Sequence, residues 1–214
     1  MSRGLVLVGG GGHCASCIDV IEAEGRLPIL GFLDLPALAG SELAGYRCLG
    51  TDADLPALAK EGCAFLVTVG QVKSAEARRR LFGALRALGA TLATVVSPLA
   101  RVSRTAKVGA GSIVMHGALV NAGAEVGENC IVNSRALIEH DARVEGHCHV
   151  STAAVVNGGS RLGEGSFLGS GAVILNQVAV GRGCVVGAGA VVVRDLPDGG
   201  TWAGNPARPL GGGR

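Results

Sequence analysis

The sequence predicts an α/β N-terminal domain, a small Rossmann-like parallel sheet, followed by a left-handed parallel β-helix of hexapeptide repeats. From Val96 to Val192 every sixth residue is aliphatic, seventeen times without a miss. Four residues after each of the first sixteen comes a small side chain, from Ala100, Ala106 and Ser112 to Cys184 and Ala190, with Val178 alone larger. Before Val96 the pattern changes to apolar runs alternating with helical periodicity. The expected division is residues 1–95 and 96–214.

The hexad has a geometric reason. Six residues make a short strand and a tight corner, and three hexads close one triangular coil. Coils stack at the spacing of neighbouring strands, roughly 4.8 Å, so each buries its apolar face only against the next. The 36 glycines and 3% aromatic content suit that architecture, where corners need glycine and the interior admits only small aliphatics.

In the first part, Leu5–Val8 reads as a buried strand running into Gly9-Gly10-Gly11-Gly12-His13, followed by a helix through Ile18, Ile21 and Glu22 to Gly25. Ile29–Leu33 reads as a second strand ending at Asp34. A helix near Leu55–Glu61, a strand at Ala64–Val69, a helix over Ser74–Leu88 and a strand over Thr91–Val96 complete it, with the boundary near Ser97-Pro98. The tail, with Trp202 and Gly204-Asn205-Pro206, is expected to leave the coil.

Composition excludes several classes. A net charge of +2, without a basic tract, makes nucleic acid a poor partner. No apolar stretch is long enough for membrane insertion, and Met1-Ser2-Arg3 lacks a signal-peptide design. The seven cysteines are an odd number, and Cys130, Cys148 and Cys184 occupy the small-residue register; they read as buried hydrophobes in a cytoplasmic protein. Cys14-x-x-Cys17 has zinc-like spacing but no second pair, so no metal is expected.

Four glycines between a strand and a helix let a ligand approach backbone N–H groups closely. Gly9, Gly11, Gly12 and His13 are therefore candidate phosphate or nucleotide-sugar contacts. Asp34 follows at about the distance of a ribose-binding acid. Cys14 replaces the third glycine of a dinucleotide fingerprint, which disfavours a redox cofactor; a tight structural turn is the competing reading. His13 either donates to a phosphate or caps the helix, and Gly70-Gln71 ends a strand beside the same crevice.

His140 lies two residues past Ile138, outside the core register, between Glu139 and Asp141. One coil on stands Gly158, whose backbone amide is expected to be exposed. An imidazole beside such an amide pairs a general base with a donor for a tetrahedral oxyanion. His116 and His147 read as solvated corner residues. A zinc site like that of γ-class carbonic anhydrases is disfavoured, because His116, His140, His147 and His149 are spaced by 24, 7 and 2 residues.

These motifs together, with Phe32-Leu33-Asp34, Thr68-Val69-Gly70, His149-Val150-Ser151 and Asn205-Pro206-Ala207-Arg208, resemble bacterial sugar acyltransferases of the sialic-acid O-acetyltransferase type. That group includes N-acetyltransferases of nucleotide-linked 4-amino-4,6-dideoxy sugars such as perosamine and the bacillosamine precursor. The resemblance implies His140 as catalytic histidine, Asp141 where a glutamate is often found, and the Gly158 amide at the thioester carbonyl. It implies His149 near the acetyl group, Asn205 and Pro206 holding acetyl-CoA, and Gly9–His13 with Asp34 binding the nucleotide sugar. It also implies a homotrimer with acetyl-CoA between adjacent β-helices. The rival readings are O-acetylation of sialic acid or a related sugar, and a non-catalytic nucleotide-sugar-binding scaffold.

Overall fold

The computed structural model describes residues 3–38 and 40–210. Met1 and Ser2 of the leader reading, and the last four residues of the tail, lie outside the described residues. Strand pairing divides the chain in two. The strands β1 (Leu5–Val8), β2 (Ile29–Leu33), β3 (Glu42–Leu43), β4 (Tyr46–Gly50), β5 (Ala64–Val67) and β6 (Thr91–Leu92) form one sheet in the order β3-β4-β2-β1-β5-β6. Only the β3–β4 pair is antiparallel.

All four β1 residues are buried because both sheet faces are covered. Helix α1 (Gly12–Glu24) packs Cys14, Cys17, Ile18 and Ile21 against Leu5 and Leu7. On the other face, Val6 and Val8 meet Leu55 of α2 (Leu55–Lys60) and Leu81, Phe82 and Leu85 of α3 (Glu76–Ala87).

The β3–β4 hairpin lies in a stretch, residues 35–54, where the sequence carries no clear strand pattern. Its turn, Ala44-Gly45, has both residues at positive φ, 49° and 83°. The expected single strand over Thr91–Val96 is two. Thr91–Leu92 pairs with Ala64–Phe65, whereas Val95–Val96 pairs with Ile113–Val114 of the β-helix. One extended segment thus serves both sheets: Ala93 N still donates to Phe65 O, and Val95 N already donates to Ser112 O.

From Val95 onward, two-residue rungs stack on three faces, each pairing with the rung eighteen residues on: Ile113 with Ile131, Leu119 with Leu137, Glu125 with Arg143. The second residue of each rung points inward, and the inward aliphatics pack with the small residues Ala118, Ala136, Cys148 and Ala190 into one core. Every sixth residue from Gly111 to Gly189 has positive φ, which closes each corner, and glycine fills eight of these fourteen positions.

The first face (Val95, Ile113, Ile131) joins the cluster beneath α1, so the N-terminal domain covers it. The second face presents Leu119, Leu137, Val155, Val173 and Val191 outward, all half-buried; the third presents Lys107, Glu125, Arg143 and Arg161. The tail does not leave the stack at once, contrary to expectation. Thr201–Ala203 adds a parallel rung beside Val185–Val186, and Arg208–Leu210 then returns antiparallel to it. No described helix is long and apolar enough to cross a membrane.

Candidate functional site

All the candidate residues but Asn205 and Pro206 fall into two groups. His140, Asp141 and Gly158 sit at the corner between the second and third faces, the prism edge opposite the face that the N-terminal domain covers. Gly9, Gly11, Gly12, His13, Asp34, Gly70, Gln71 and His149 gather in and above the seam between domains.

At the corner, Asp141 takes the left-handed position, with φ 58°. That conformation turns its short side chain back onto the preceding residue, and His140 Nδ1 lies 2.9 Å from Asp141 Oδ2. The carboxylate accepts, so Nδ1 carries the proton and Nε2 keeps its lone pair. The bond to Asp141 raises the His140 pKa above the ordinary histidine value. Glu139 is tied to Asn121 Nδ2 at 2.9 Å and to the His140 N–H at 3.2 Å, so it shapes the corner without touching the ring.

Gly158 is buried rather than exposed, because the His140 imidazole lies over it. A methyl group on Gly158 would sit 2.6 Å from Nε2 and 2.8 Å from Cε1. The Gly158 carbonyl accepts from Gln177 N, while its N–H donates to no group among the described residues. On the other side, a methyl group on Gly123 would sit 2.5 Å from Asp141 Oδ1. The pair is therefore seated between two positions where only glycine leaves room.

In the second group, β1 ends in a loop whose conformation needs its glycines. Gly9 has φ 108° and packs against Val69, and a side chain on Gly10 would collide with Phe32. Gly11 and Gly12, by contrast, face open space. Gly11 starts α1 without a side-chain cap, and its first turn holds no acid, so the free N–H groups there suit an anion. Asp34 accepts from the Gly10 N–H and, at 2.7 Å, from the Leu35 N–H, so it braces the loop from across the crevice.

His13 lies 3.4 Å from Cys17 Sγ, and burial lowers its pKa to about 4; it is neutral and does not cap the helix. His149, 7% exposed, donates from Nδ1 to Gln71 O at 2.7 Å and accepts from Asn133 Nδ2 at 3.1 Å. Burial lowers its pKa to about 4 as well. The two rings are 6.1 Å apart. Gln71 is buried, and its Nε2 donates to Gly165 O and Ser166 O across the seam at 3.1 and 3.3 Å. Asn205 and Pro206 lie exposed at the turn after the last parallel rung, a turn whose ends, Gly204 and Ala207, bond to Val191 at the end of the second face.

Two histidines differ from expectation. His116 is half-buried, with Nδ1 2.6 Å from Ser97 Oγ and Nε2 2.8 Å from Asp19 of α1. His147 is half-buried, 5.4 Å edge-on to Phe82 and bonded to Asn129 Nδ2 at 2.9 Å; burial lowers its pKa. Both corners touch the N-terminal domain, which corner position alone does not reveal. His116, His140 and His147 occupy three different corners, so they do not converge within one chain.

Sequence reasoning missed Arg78. It is 1% exposed, yet donates to Val67 O, Val69 O, Asn129 O and Asn129 Oδ1 at 2.7–3.1 Å. The signal was present: Arg78 stands three, four and seven residues before Leu81, Phe82 and Leu85, on the helix's apolar stripe.

A hexapeptide β-helix carrying a histidine–carboxylate pair over a glycine, joined to a glycine-loop α/β domain, defines an acyltransferase. Residues 4–85 match the PglD N-terminal domain, and residues 159–194 match the bacterial transferase hexapeptide of six repeats. The acetyltransferase domain of PglB from Neisseria gonorrhoeae is 37% identical, with 98% of this chain and 100% of that one covered and a TM-score of 0.92. PerB from Caulobacter crescentus, solved with CoA and GDP-perosamine, is 35% identical, with 97% of each chain covered and a TM-score of 0.90. WeeI from Acinetobacter baumannii, 23% identical with a TM-score of 0.76 over 96% of this chain and 99% of that one, shares the fold. No curated protein matches. The chain belongs to the family of hexapeptide-repeat acetyltransferases with a PglD N-terminal domain.

Proposed function

We propose that the protein transfers acetyl from acetyl-CoA to the 4-amino group of a nucleotide-linked 4-amino-4,6-dideoxyhexose, of the GDP-perosamine or UDP-linked bacillosamine-precursor type. The observation that carries this is the His140–Asp141 pair, with Nδ1 committed to the carboxylate and Nε2 free above Gly158. The sugar amine attacks the thioester carbonyl carbon, and Nε2 takes the proton that the nitrogen loses. The unengaged Gly158 N–H steadies the oxyanion, a contribution of about 3 kcal/mol for such donors. Collapse breaks the C–S bond, and the departing CoA sulfur takes the proton from the imidazolium.

Residues 1–95 serve as the acceptor module: the Gly11–His13 helix start takes the diphosphate and Asp34 lies where the ribose would come. Residues 96–214 serve as the acyl module, with His149, Asn205 and Pro206 as the further acetyl-CoA contacts. The acceptor module sits on the first face and His140 on the opposite edge, so a single chain does not close the site. The uncovered apolar second face, bordered by the His140 corner, supports a homotrimer in which His140 meets a neighbour's acceptor module. Seven free thiols, all buried, fit a reducing cytoplasm.

The test is release of free CoA thiol from acetyl-CoA against GDP-, UDP- and dTDP-linked 4-amino-4,6-dideoxy sugars, with sialic acid in parallel. Turnover with one amino sugar supports the reading and names the nucleotide. Turnover with sialic acid alone shifts it to O-acetylation, and none at all leaves a binding scaffold.

A further inference from the structure

Arg78 is the most expensive side chain in the molecule to bury. Its Nη1 and Nη2 are satisfied by carbonyl oxygens and an amide, its Nε has no partner, and no carboxylate pairs with it among the described residues. Burying a guanidinium without a counter-charge is costly even when most of its N–H groups are bonded, and a methionine or leucine on the same stripe would avoid that cost. Burial lowers its pKa to about 10, so it stays charged at neutral pH.

What it grips explains its presence. Nη1 holds Val67 O at 2.9 Å and Val69 O at 2.7 Å, the carbonyls on either side of Thr68. Thr68 Oγ1 donates to Gly9 O at 2.7 Å, and Val69 packs against Gly9 so closely that a methyl group there would lie 2.5 Å from it. The segment Arg78 holds is therefore the floor of the glycine loop. Nη2 reaches across to the β-helix, to Asn129 O at 3.1 Å and Oδ1 at 2.8 Å, and Asn129 Nδ2 returns a bond to Arg78 O at 3.3 Å. Asn129 is fully buried and holds the left-handed corner at φ 53°. One guanidinium thus spans loop floor, helix and β-helix.

We propose that Arg78, with Asn129, is a positioning residue for the acceptor: it indexes the nucleotide loop against the acyl module without touching either substrate. The proposal rests on the assignment of Gly9–His13 to the nucleotide sugar. Its charge also adds to burial in keeping His13 and His149 neutral.

Two variants test it, with Michaelis constants measured for both substrates and Tm alongside. Arg78→Met keeps the volume and removes the grip; Asn129→Gly keeps the corner, which glycine accepts, and removes Oδ1. Arg78→Met is expected to raise KM for the nucleotide amino sugar at least tenfold and Asn129→Gly at least threefold, with KM for acetyl-CoA within twofold in both. Equal shifts in the two constants, or an unmoved acceptor KM, overturn the proposal. Should Arg78→Met not fold, the Asn129→Gly ratio decides. Gly12→Val separates the two ideas: a Cβ there meets nothing within 4 Å beyond the helix's own turn, so the side chain fills the loop's open side. An unchanged acceptor KM there removes the site assignment itself, and this proposal with it.

Discussion

Gly158→Ala isolates the placement of one imidazole. The added methyl would lie 2.6, 2.8 and 3.2 Å from Nε2, Cε1 and Cδ2 of His140. Ordinary contact begins near 3.5 Å, so the ring must retreat by roughly 1 Å or swing off its bond to Asp141. The His140 side chain is 61% exposed, so retreat costs the fold little, and Gly158 does not hold the left-handed φ that would strain an alanine. The substitution also keeps the backbone N–H. A displacement of about 1 Å at a catalytic group costs on the order of 10²-fold in rate, or about 2.7 kcal/mol. The expected result in the thiol-release assay is kcat/KM down about a hundredfold with Tm unchanged. Gly159→Ala is the converse control. Its φ of 66° strains an alanine by about 1 kcal/mol, while the methyl meets only Gln177 at 3.5 Å. There Tm falls and activity stays. If Gly158→Ala keeps more than a fifth of wild-type activity, the ring's position is not what the reaction needs.

Three further outcomes follow from the same geometry. His140 acts as a neutral base with a raised pKa, so activity is lost as pH falls through that value; Asp141→Asn removes the cause of the rise and moves the acid limb of the kcat/KM profile to lower pH. An unmoved limb would show that another group titrates. His13 and His149 have folded-state pKa values near 4, below the unfolded value of 6.5, so their neutrality stabilises the fold above 6.5 and that support drains away down to pH 4. Each shift corresponds to roughly 3 kcal/mol, so the urea midpoint should fall steeply across that window, and His149→Gln should about halve the slope. Leu137→Asp, on the uncovered second face, is expected to give monomers by analytical ultracentrifugation and less than 1% of wild-type activity (about 3 kcal/mol of lost transition-state stabilisation); an active monomer would refute the shared site.

The rungs were legible because a hexad is a physical period: one inward aliphatic per side without exception over the run, and one small residue per side broken only at Val178. The His140–Gly158 contact followed from the same register, since a residue lies beside its counterpart eighteen positions on. What sat over what was legible; what was covered was not. Gly158 read as exposed because adjacency says nothing of which side chain folds over which backbone. His116 and His147 read as solvated because their partners, Asp19 and Phe82, belong to another domain whose docking no local pattern encodes. Gln71 read as a crevice residue from its place after a strand; its Nε2 bonds across the seam, while its buried Oε1 has no partner among the described residues. The β3–β4 hairpin depends on a two-residue turn, Ala44-Gly45, outside the usual Asn-Gly or Asp-Gly signals.

The corners themselves carry a further argument about where this protein accepts strain. Among the left-handed corner positions from 111 to 189, glycine stands at 111, 117 and 123 and again at 159, 165, 171, 183 and 189. Between them, five corners in succession carry side chains: Asn129, Arg135, Asp141, His147 and Ala153. Each costs up to about 1 kcal/mol relative to glycine, less for asparagine and aspartate. Three have evident returns: Asp141 holds the His140 proton on Nδ1, Asn129 completes the grip of Arg78, and His147 packs against Phe82 and bonds Asn129. Arg135 lays its stem over Gly117, and nothing in the structure explains Ala153. Strain is thus confined to the coils that bear the acyl site and the domain seam, and corners outside that band, except Gln177, revert to glycine. A β-helix with every corner relaxed would stack as well, but it would have no side chain at the one position from which a short carboxylate can turn back and orient its neighbour's imidazole.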